Sequence, residues 1–167
     1  VPGGEIGFAA GDATALPLAD ASVDAVIASE ILEHIPNYLL VLAEIKRVLK
    51  PGGRLCISVP RQWPEWICWQ LSEGYRNTPG GHIRIFDATH LRREVVREGF
   101  LFNSKGSAHA LHVPYWWLKC LFWRREAEPW VVRVYHKLLV WDLMSRPWLT
   151  RAFDALLNPV MGKSVVL

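Results

Sequence analysis

Three observations in the sequence predict an α/β fold that contains a parallel sheet. Residues 23–28 form an apolar run that follows turn residues, and residues 54–59 form a second such run. Between them, residues 39–49 carry apolar side chains at helical spacing, and Pro51-Gly52-Gly53 then stops the helix. A strand, helix and strand with short links form a crossover unit, which builds a parallel sheet covered by helices.

The first predicted element is a strand over residues 5–11, a short apolar run that ends in Gly-Asp. A loop with Pro17 follows it. The run at 23–28 is almost wholly apolar, which is typical of a strand buried on both faces. Asn37 precedes the predicted helix, and the strand at 54–59 is closed by Pro60.

The second half of the chain is predicted to be mostly helical. Prolines and glycines interrupt residues 61–86, which favours irregular structure there. Residues 89–99 read as a helix with Asp87 or Thr89 as its N-cap and Gly99 as its stop. The remaining predictions are a kinked strand over 100–102 and 107–112, helices over 114–157 with breaks near Pro129 and Pro147, and a final strand over 163–167.

Composition excludes several classes of protein. With 167 residues, 51% hydrophobic and 21% charged, the chain is expected to form one globular domain. No apolar run reaches the roughly 18 residues of a membrane-spanning helix. The three cysteines form no C-x-x-C or metal-ligand pattern, so we expect reduced thiols and a cytoplasmic protein.

The order of three segments resembles the class I S-adenosylmethionine-dependent methyltransferases, in the broad subgroup that methylates small molecules. The segments are GDATALPLADASVDAVIASEILEHI, LKPGGRLCISVP and GGHIRIFDATHLRREVVREGF. Together they cover roughly residues 6–112, and residues 162–167 resemble the last strand of the family.

The resemblance implies a Rossmann-like sheet with strand order 3-2-1-4-5-7-6, in which only strand 7 is antiparallel. This chain would supply strands 3, 4, 5, 6 and 7, whereas strand 1 with its Gly-rich cofactor loop and strand 2 would precede Val1. We therefore expect an N-terminally truncated chain, which can be inactive as given because the Gly-rich cofactor loop is absent, and in which the strand at 5–11 has no partner. The expected divisions are core over 1–112, a helical Trp-rich insertion over 113–161, and the last core strand over 162–167.

The resemblance assigns S-adenosylmethionine as the cofactor and four residues to its site. Asp12 would accept a hydrogen bond from the adenine amino group, with Ala13 beside the ring; the alternative is an Asx-type turn. Ser29 and Glu30 would lie beside the methionine portion, at the carboxyl end of a strand. The alternative for Glu30 is a solvated loop carboxylate.

The acceptor side is expected to hold two histidines. Glu30, Glu33 and His34 form E-x-x-E-H, which resembles a segment of the ubiquinone-pathway O-methyltransferases that has been linked to a divalent ion. We expect His34 to act as a base or orienting group more readily than as a metal ligand. His82, in GGHIRIF, is the second candidate, with a packing role as the alternative.

Six of the nine tryptophans lie between residues 116 and 148, a segment that also carries a small excess of basic residues. Tryptophan and basic side chains favour the membrane interface, which predicts a lid that touches a membrane. The alternative is a helical cap packed against Trp63, Trp66 and Trp69. The charge excess is too small to favour nucleic acid.

The combined prediction is methyl transfer from S-adenosylmethionine to a small or lipid-like acceptor. The alternative is a non-catalytic remnant whose Trp-rich helices bind a membrane or a partner protein. A hydrolase is not favoured, because the sequence contains no G-x-S-x-G motif.

Overall fold

One sheet and seven helices make up the computed structural model, which describes residues 6–125 and 127–167. The sheet has the order β1-β2-β4-β3. β1 and β2 are parallel, and β4 is antiparallel to both of its neighbours. The strands are β1 (Val23–Ser29), β2 (Leu49–Pro60), β3 (Gly106–Ala108) and β4 (Ser164–Val166). The predicted α/β class and crossover unit are confirmed.

Helices connect these strands. A 3₁₀ turn over Leu32–His34 follows β1 and precedes the crossover helix. The segment between β3 and β4 is almost wholly helical. The helices are α1 (Tyr38–Val48), α2 (Gln62–Leu71), α3 (Glu73–Arg76), α4 (Ala88–Arg97), α5 (His112–Leu121), α6 (Trp130–Ser145) and α7 (Trp148–Met161).

The main hydrophobic core lies between the sheet, α1 and α4. Alternate residues of the strands face this core, as the period of two in a strand requires, and Ala28 and Ile57 are examples. Leu42 and Ile45 contribute from α1, and Leu91 contributes from α4. Burial of each large side chain stabilises the fold by about 1.5–3 kcal/mol. This core therefore holds β1 and β2 firmly in place.

The helix predicted over 89–99 is confirmed, together with the residues predicted to begin and end it. The Asp87 side chain accepts a hydrogen bond from the backbone N–H of His90 at 2.7 Å, so Asp87 rather than Thr89 is the N-cap of α4. Gly99 has a positive φ of 89°, the left-handed conformation that ends many helices.

The strand predicted over residues 5–11 is wrong for its described part. Residues 6–11 are exposed and belong to no strand, and Glu5 lies outside the described residues. No described strand pairs with this run, so its backbone lacks the hydrogen bonds that a neighbouring strand would supply. The four described strands form a continuous sheet. β1 is likewise not buried on both faces: it is an edge strand, and Ile27 is exposed.

The second half of the chain also differs from prediction. Residues 62–76 form α2 and α3 rather than irregular structure, because Pro64 lies in the first turn of α2, where a missing N–H costs nothing. The kinked strand shrinks to β3, and His112 already begins α5. None of the described helices is long and apolar enough to cross a bilayer.

Candidate functional site

Three polar residues meet at the carboxyl ends of the parallel strands β1 and β2. The hydroxyls of Ser29 and Ser58 lie 3.0 Å apart, and the Ser58 hydroxyl donates to Glu30 Oε1 at 2.9 Å. The backbone N–H of Glu30 also donates to the Ser58 carbonyl at 3.0 Å. Ligands in open α/β sheets bind at this edge, so the chemistry of the set suits the cofactor region that the sequence predicts for Ser29 and Glu30.

Glu30 adopts an unusual backbone conformation. Its φ is 51°, in the left-handed region that residues other than glycine rarely enter. Such strain costs about 1–3 kcal/mol and persists where the surrounding structure over-determines it, often at functional sites. The side chain is not a freely solvated loop carboxylate, since Ser58 holds it. Ser58 itself was not among the predicted site residues.

Asp12 forms the turn that the sequence left open as an alternative. Its Oδ1 accepts hydrogen bonds from the backbone N–H and the hydroxyl of Thr14, both at 2.8 Å. These bonds lower the pKa of Asp12. Both use the same oxygen, which leaves Oδ2 for another donor. Ala13 packs against the core cluster that contains Ala28, near the end of β1. The adenine role of these two residues stays a prediction.

A second group of polar side chains lies beyond β1. Glu33 is fully buried, at 0% exposure, whereas the side chains of His34 and His82 are 35% and 16% exposed. Glu33 Oε1 lies 3.9 Å from His34 Nε2 and 3.8 Å from His82 Nε2. The two imidazole rings meet edge to face, with centroids 5.0 Å apart. The structure therefore brings both predicted acceptor-side histidines together around Glu33.

Backbone contacts hold the two histidines in place. The N–H of Ile83 donates to the carbonyl of Glu33 at 3.0 Å, which ties the glycine-rich loop to the 3₁₀ turn. His34 Nδ1 lies 2.9 Å from the Gly80 carbonyl oxygen and 3.1 Å from that of Gly81. Glu30 is not part of this group, which contains Glu33, His34 and His82 instead of the predicted set of Glu30, Glu33 and His34.

Glu65 on α2 anchors His82 from the other side and was missed at the level of sequence. Its Oε1 lies 2.6 Å from His82 Nδ1 and accepts a hydrogen bond from the Tyr75 hydroxyl at 2.9 Å. Lys163 Nζ lies 3.8 Å from Oε2. The sequence did carry a signal for Glu65, which is the single acidic residue within the apolar run WPEWICW. A charge that is buried with an apolar helix face needs partners elsewhere in the fold.

The two carboxyl groups differ in proton affinity. Burial raises the pKa of Glu33. Burial also disfavours ionised Glu65, but the hydrogen bond from His82 and the charge of Lys163 prevail and hold its pKa below the ordinary value. Burial, followed by the neighbouring Glu65 charge, raises the pKa of Tyr75. Glu65 is thus an ionised acceptor, and Tyr75 is its neutral donor.

Aromatic side chains enclose this network on the side of α5. Trp116 and Trp123 lie with ring centroids 5.8 and 5.5 Å from Tyr75. Trp117 packs at 5.7 Å from Trp63 and donates to the Pro64 carbonyl. Trp117 thus packs against Trp63 as the packed-cap alternative predicts, whereas Trp116 and Trp123 pack against Tyr75 instead.

A separate cleft of about 670 Å³ opens at the carboxyl end of β2. Gln62 and Trp63 of α2 line it, whereas Glu65 of the same helix faces the histidine network. Asp87, Ser107 and Asn158 supply polar groups to its wall. α2 thus separates an open cleft from a largely buried polar network.

Comparison with known proteins finds methyltransferases that are similar to part of the chain. A family model described as "Methyltransferase domain" matches residues 2–57. A demethylmenaquinone methyltransferase of Renibacterium salmoninarum is 52% identical over 54 residues, which cover 32% of this chain and 23% of the relative. A phthiotriol/phenolphthiotriol dimycocerosates methyltransferase of Mycobacterium ulcerans is 35% identical over 100 residues, or 60% of this chain and 35% of the relative.

A solved structure extends the likeness of fold to nearly the whole chain. A SAM-dependent methyltransferase from Archaeoglobus fulgidus matches with a TM-score of 0.52 and 14% identity, over 93% of this chain and 63% of that one. The matches to the curated relatives above span about a quarter to a third of their length. The motifs, the sheet and these similarities agree: part of the chain is similar to S-adenosylmethionine-dependent methyltransferases, and its fold resembles theirs.

Proposed function

We propose that the enzyme to which this chain belongs transfers a methyl group from S-adenosylmethionine to a small or lipid-like acceptor. The observation that carries the proposal is the Ser29–Glu30–Ser58 cluster at the carboxyl ends of two parallel strands. The names of the relatives add support, since one refers to demethylmenaquinone and another to phthiotriol dimycocerosates. The alternative of a non-catalytic remnant is not favoured, because these relatives are named as methyltransferases.

The cofactor-side residues are proposed to bind through oxygen acceptors. Glu30 and the backbone around Ser29 would accept hydrogen bonds from the ammonium and hydroxyl groups of S-adenosylmethionine, and Asp12 Oδ2 would accept from the adenine amine. When bound, the cofactor supplies a methyl group activated by its sulfonium charge. The protein's task is then alignment of the acceptor, an effect that can contribute about 7–11 kcal/mol.

The acceptor-side residues are proposed to be His34 and His82. A neutral imidazole can take the proton of a phenol or hydroxyl near neutral pH. Glu65 would act as a positioning residue, because its contact with His82 Nδ1 orients the ring and leaves Nε2 directed toward Glu33. Half-buried aromatic rings around Tyr75 would suit an apolar acceptor.

Binding of S-adenosylhomocysteine, measured by isothermal titration calorimetry, tests the cofactor side. In the enzyme to which this chain belongs, with its Gly-rich cofactor loop, we expect saturable binding that Glu30→Gln weakens about tenfold, since a charge-assisted acceptor is lost. Asp24→Asn is the matched control, because Asp24 lies at the opposite end of β1 and pairs with Lys50 at 2.9 Å. The absence of saturable binding, or equal weakening by both substitutions, would contradict the proposed site.

A second candidate function, contact with an anionic membrane, rests on α6 and α7. Trp130, Trp141 and Trp148 are 69%, 49% and 79% exposed, in contrast to the packed tryptophans of α5. α7 also exposes an apolar stripe at helical spacing. That stripe consists of Leu149, Phe153, Leu156 and Val160.

The charges of these two helices favour an anionic surface. Arg133, Lys137 and Arg151 are exposed. Asp142 and Asp154, by contrast, are partly buried, and each accepts a hydrogen bond from within the fold. The exposed charges of α6 and α7 are therefore basic, which suits lipid headgroups at the depth where tryptophan prefers to lie.

Flotation with vesicles tests this contact. We expect the chain to float with vesicles that contain phosphatidylglycerol and less with pure phosphatidylcholine. The double substitution Trp141→Ser and Trp148→Ser should reduce flotation several-fold, whereas Trp66→Ser, at an exposed tryptophan of α2, should not. Flotation that is absent, or equal in all variants, would refute the membrane contact and leave the methyltransferase proposal untouched.

A further inference from the structure

Three electron-pair donors converge beside β1. They are the Glu33 carboxylate and the Nε2 atoms of His34 and His82, and one ligand atom from each residue lies within 4.8 Å of the others. The histidines come from segments 48 residues apart, joined by the Ile83–Glu33 backbone hydrogen bond. The tertiary fold, rather than a local repeat, therefore creates the cluster.

The hydrogen bonds of the two rings decide where their protons lie. A backbone carbonyl can only accept, so His34 Nδ1–H donates to Gly80 and Gly81. Glu65 Oε1 accepts from the Tyr75 hydroxyl, and the Glu65 carboxylate faces the Lys163 ammonium at 3.8 Å, so His82 Nδ1–H donates to Glu65 Oε1 at 2.6 Å. In each neutral ring the lone pair is then on Nε2, which faces Glu33. Imidazoles that bind metals are held by second contacts of this kind.

Glu33 lacks what a buried carboxylate needs. Neither of its oxygens has a hydrogen-bond partner among the described residues, although the side chain is fully buried. Desolvation of a carboxylate without compensation is strongly unfavourable. A proton on Glu33 could not bridge to either imidazole, because 3.8 and 3.9 Å exceed hydrogen-bond distance. A divalent cation would satisfy the carboxylate and both lone pairs together.

We propose that Glu33, His34 and His82 bind one divalent transition-metal cation of borderline softness, such as Zn²⁺. Two nitrogens and one oxygen suit such ions better than Mg²⁺ or Ca²⁺, which prefer oxygen ligands alone. Ligand atoms around a tetrahedral ion, with bonds of about 2.1 Å, lie roughly 3.4 Å apart. The two separations between Glu33 and the imidazoles, 3.8 and 3.9 Å, therefore need to shorten by about half an ångström, and the two histidine ligand atoms, which lie within 4.8 Å of each other, by roughly 1 Å or somewhat more at most. The partly exposed His34 leaves a side open for a fourth ligand.

This cation site does not depend on the proposed methyl transfer. It uses the same Nε2 atoms as the proposed acceptor base, and with a cation bound an acceptor oxygen would be a fourth ligand instead of a partner of imidazole. Binding of the metal alone, without cofactor or acceptor, therefore tests the site separately. Failure of the cofactor experiment would leave this result unchanged.

The first measurement is titration of the chain, without a polyhistidine tag and stripped of metal, with ZnCl₂ in a calorimeter. We expect one equivalent to bind, and at least tenfold weaker binding in His82→Gln and in His34→Gln. His90→Gln is the matched control, because His90 Nε2 also lies 3.9 Å from a carboxylate, that of Glu94, but at the exposed surface of α4. Circular dichroism would verify folding, and the more exposed His34 provides a second variant if His82→Gln unfolds.

The absorption spectrum with Co²⁺ distinguishes the proposed site from a site made of cysteine thiols. Cys68 and Cys120 form a thiol pair near Glu65, and a site that used them would show an intense thiolate charge-transfer band. The proposed site should show only the weak bands of nitrogen and oxygen ligands, unchanged by Cys68→Ser. Absent binding, a thiolate band, or binding unaffected by His34→Gln and His82→Gln would overturn the proposal.

Discussion

Two buried carboxylates on either side of His82 have opposite surroundings. Glu65 is contacted by Tyr75, His82 and Lys163, and its charge is matched within the fold. Glu33 faces His82 Nε2 from the other side, yet no described residue donates a hydrogen bond to it. Burial alone therefore does not determine what a carboxylate does. Glu65 belongs to a network in which its charge is matched, whereas Glu33 needs a proton or a cation to neutralise its charge.

The largest expected effect is at the completed network. Glu65→Ala should lower the free energy of unfolding by about 3–5 kcal/mol, because removal of one member of a buried charge network leaves the others without partners. Urea denaturation at pH 7 measures it. A loss below about 1 kcal/mol would show that Glu65 is not the anchor of His82 and Tyr75, and the contrast with Glu33 would disappear.

Glu33→Gln should have the opposite sign in the absence of metal. The amide keeps the shape and removes an unmatched buried charge, so the unfolding free energy should rise by about 1–2 kcal/mol at pH 7. The measurement is urea denaturation with a chelator present. Added ZnCl₂ should stabilise the natural chain and have less effect on the variant. A destabilised variant without metal would break the comparison.

The pH dependence of these two effects should differ in direction. The raised pKa of Glu33 means that its favourable contribution exists below the ordinary value of 4.5 and is lost as pH rises through the folded-state pKa. The contribution of Glu65, whose pKa is lowered, is complete above 4.5 and is lost as pH falls through its folded-state pKa. The stability gain in Glu33→Gln should therefore grow between about pH 4.5 and 7, and the loss in Glu65→Ala should shrink below pH 4.5. Parallel pH profiles would contradict both assignments.

The smallest effect is expected at a carboxylate that is exposed and has a single contact. Asp87→Ala should lower the unfolding free energy by about 1 kcal/mol, since only the N-cap hydrogen bond to His90 is lost. Thermal unfolding of the variant measures this, and Asp87→Asn should retain most of the stability. A loss as large as that of Glu65→Ala would mean that burial does not explain the difference between the carboxylates.

The sequence correctly predicted those features that depend on residues close together in the chain. The α1 stripe, the Asp87 cap, the Gly99 stop and the helix breaks near Pro129 and Pro147 are all local features, and the structure has each of them. The strand at 5–11 failed because a strand requires a neighbour, and its periodicity carries no information about whether one is present. The six tryptophans of the Trp-rich segment were predicted together, but Trp116, Trp117 and Trp123 are packed, whereas Trp130, Trp141 and Trp148 are exposed.

The sequence by itself determined the α/β class, the resemblance to S-adenosylmethionine-dependent methyltransferases and the adjacency of Glu33 and His34 in one turn. Only the tertiary structure decided which residues meet there. His82 comes from the glycine-rich loop, Glu65 from α2 and Lys163 from the residue before β4. Contacts between such distant segments follow from the packing of helices on a sheet, and the cost of burying a charge becomes visible only when its neighbours are known.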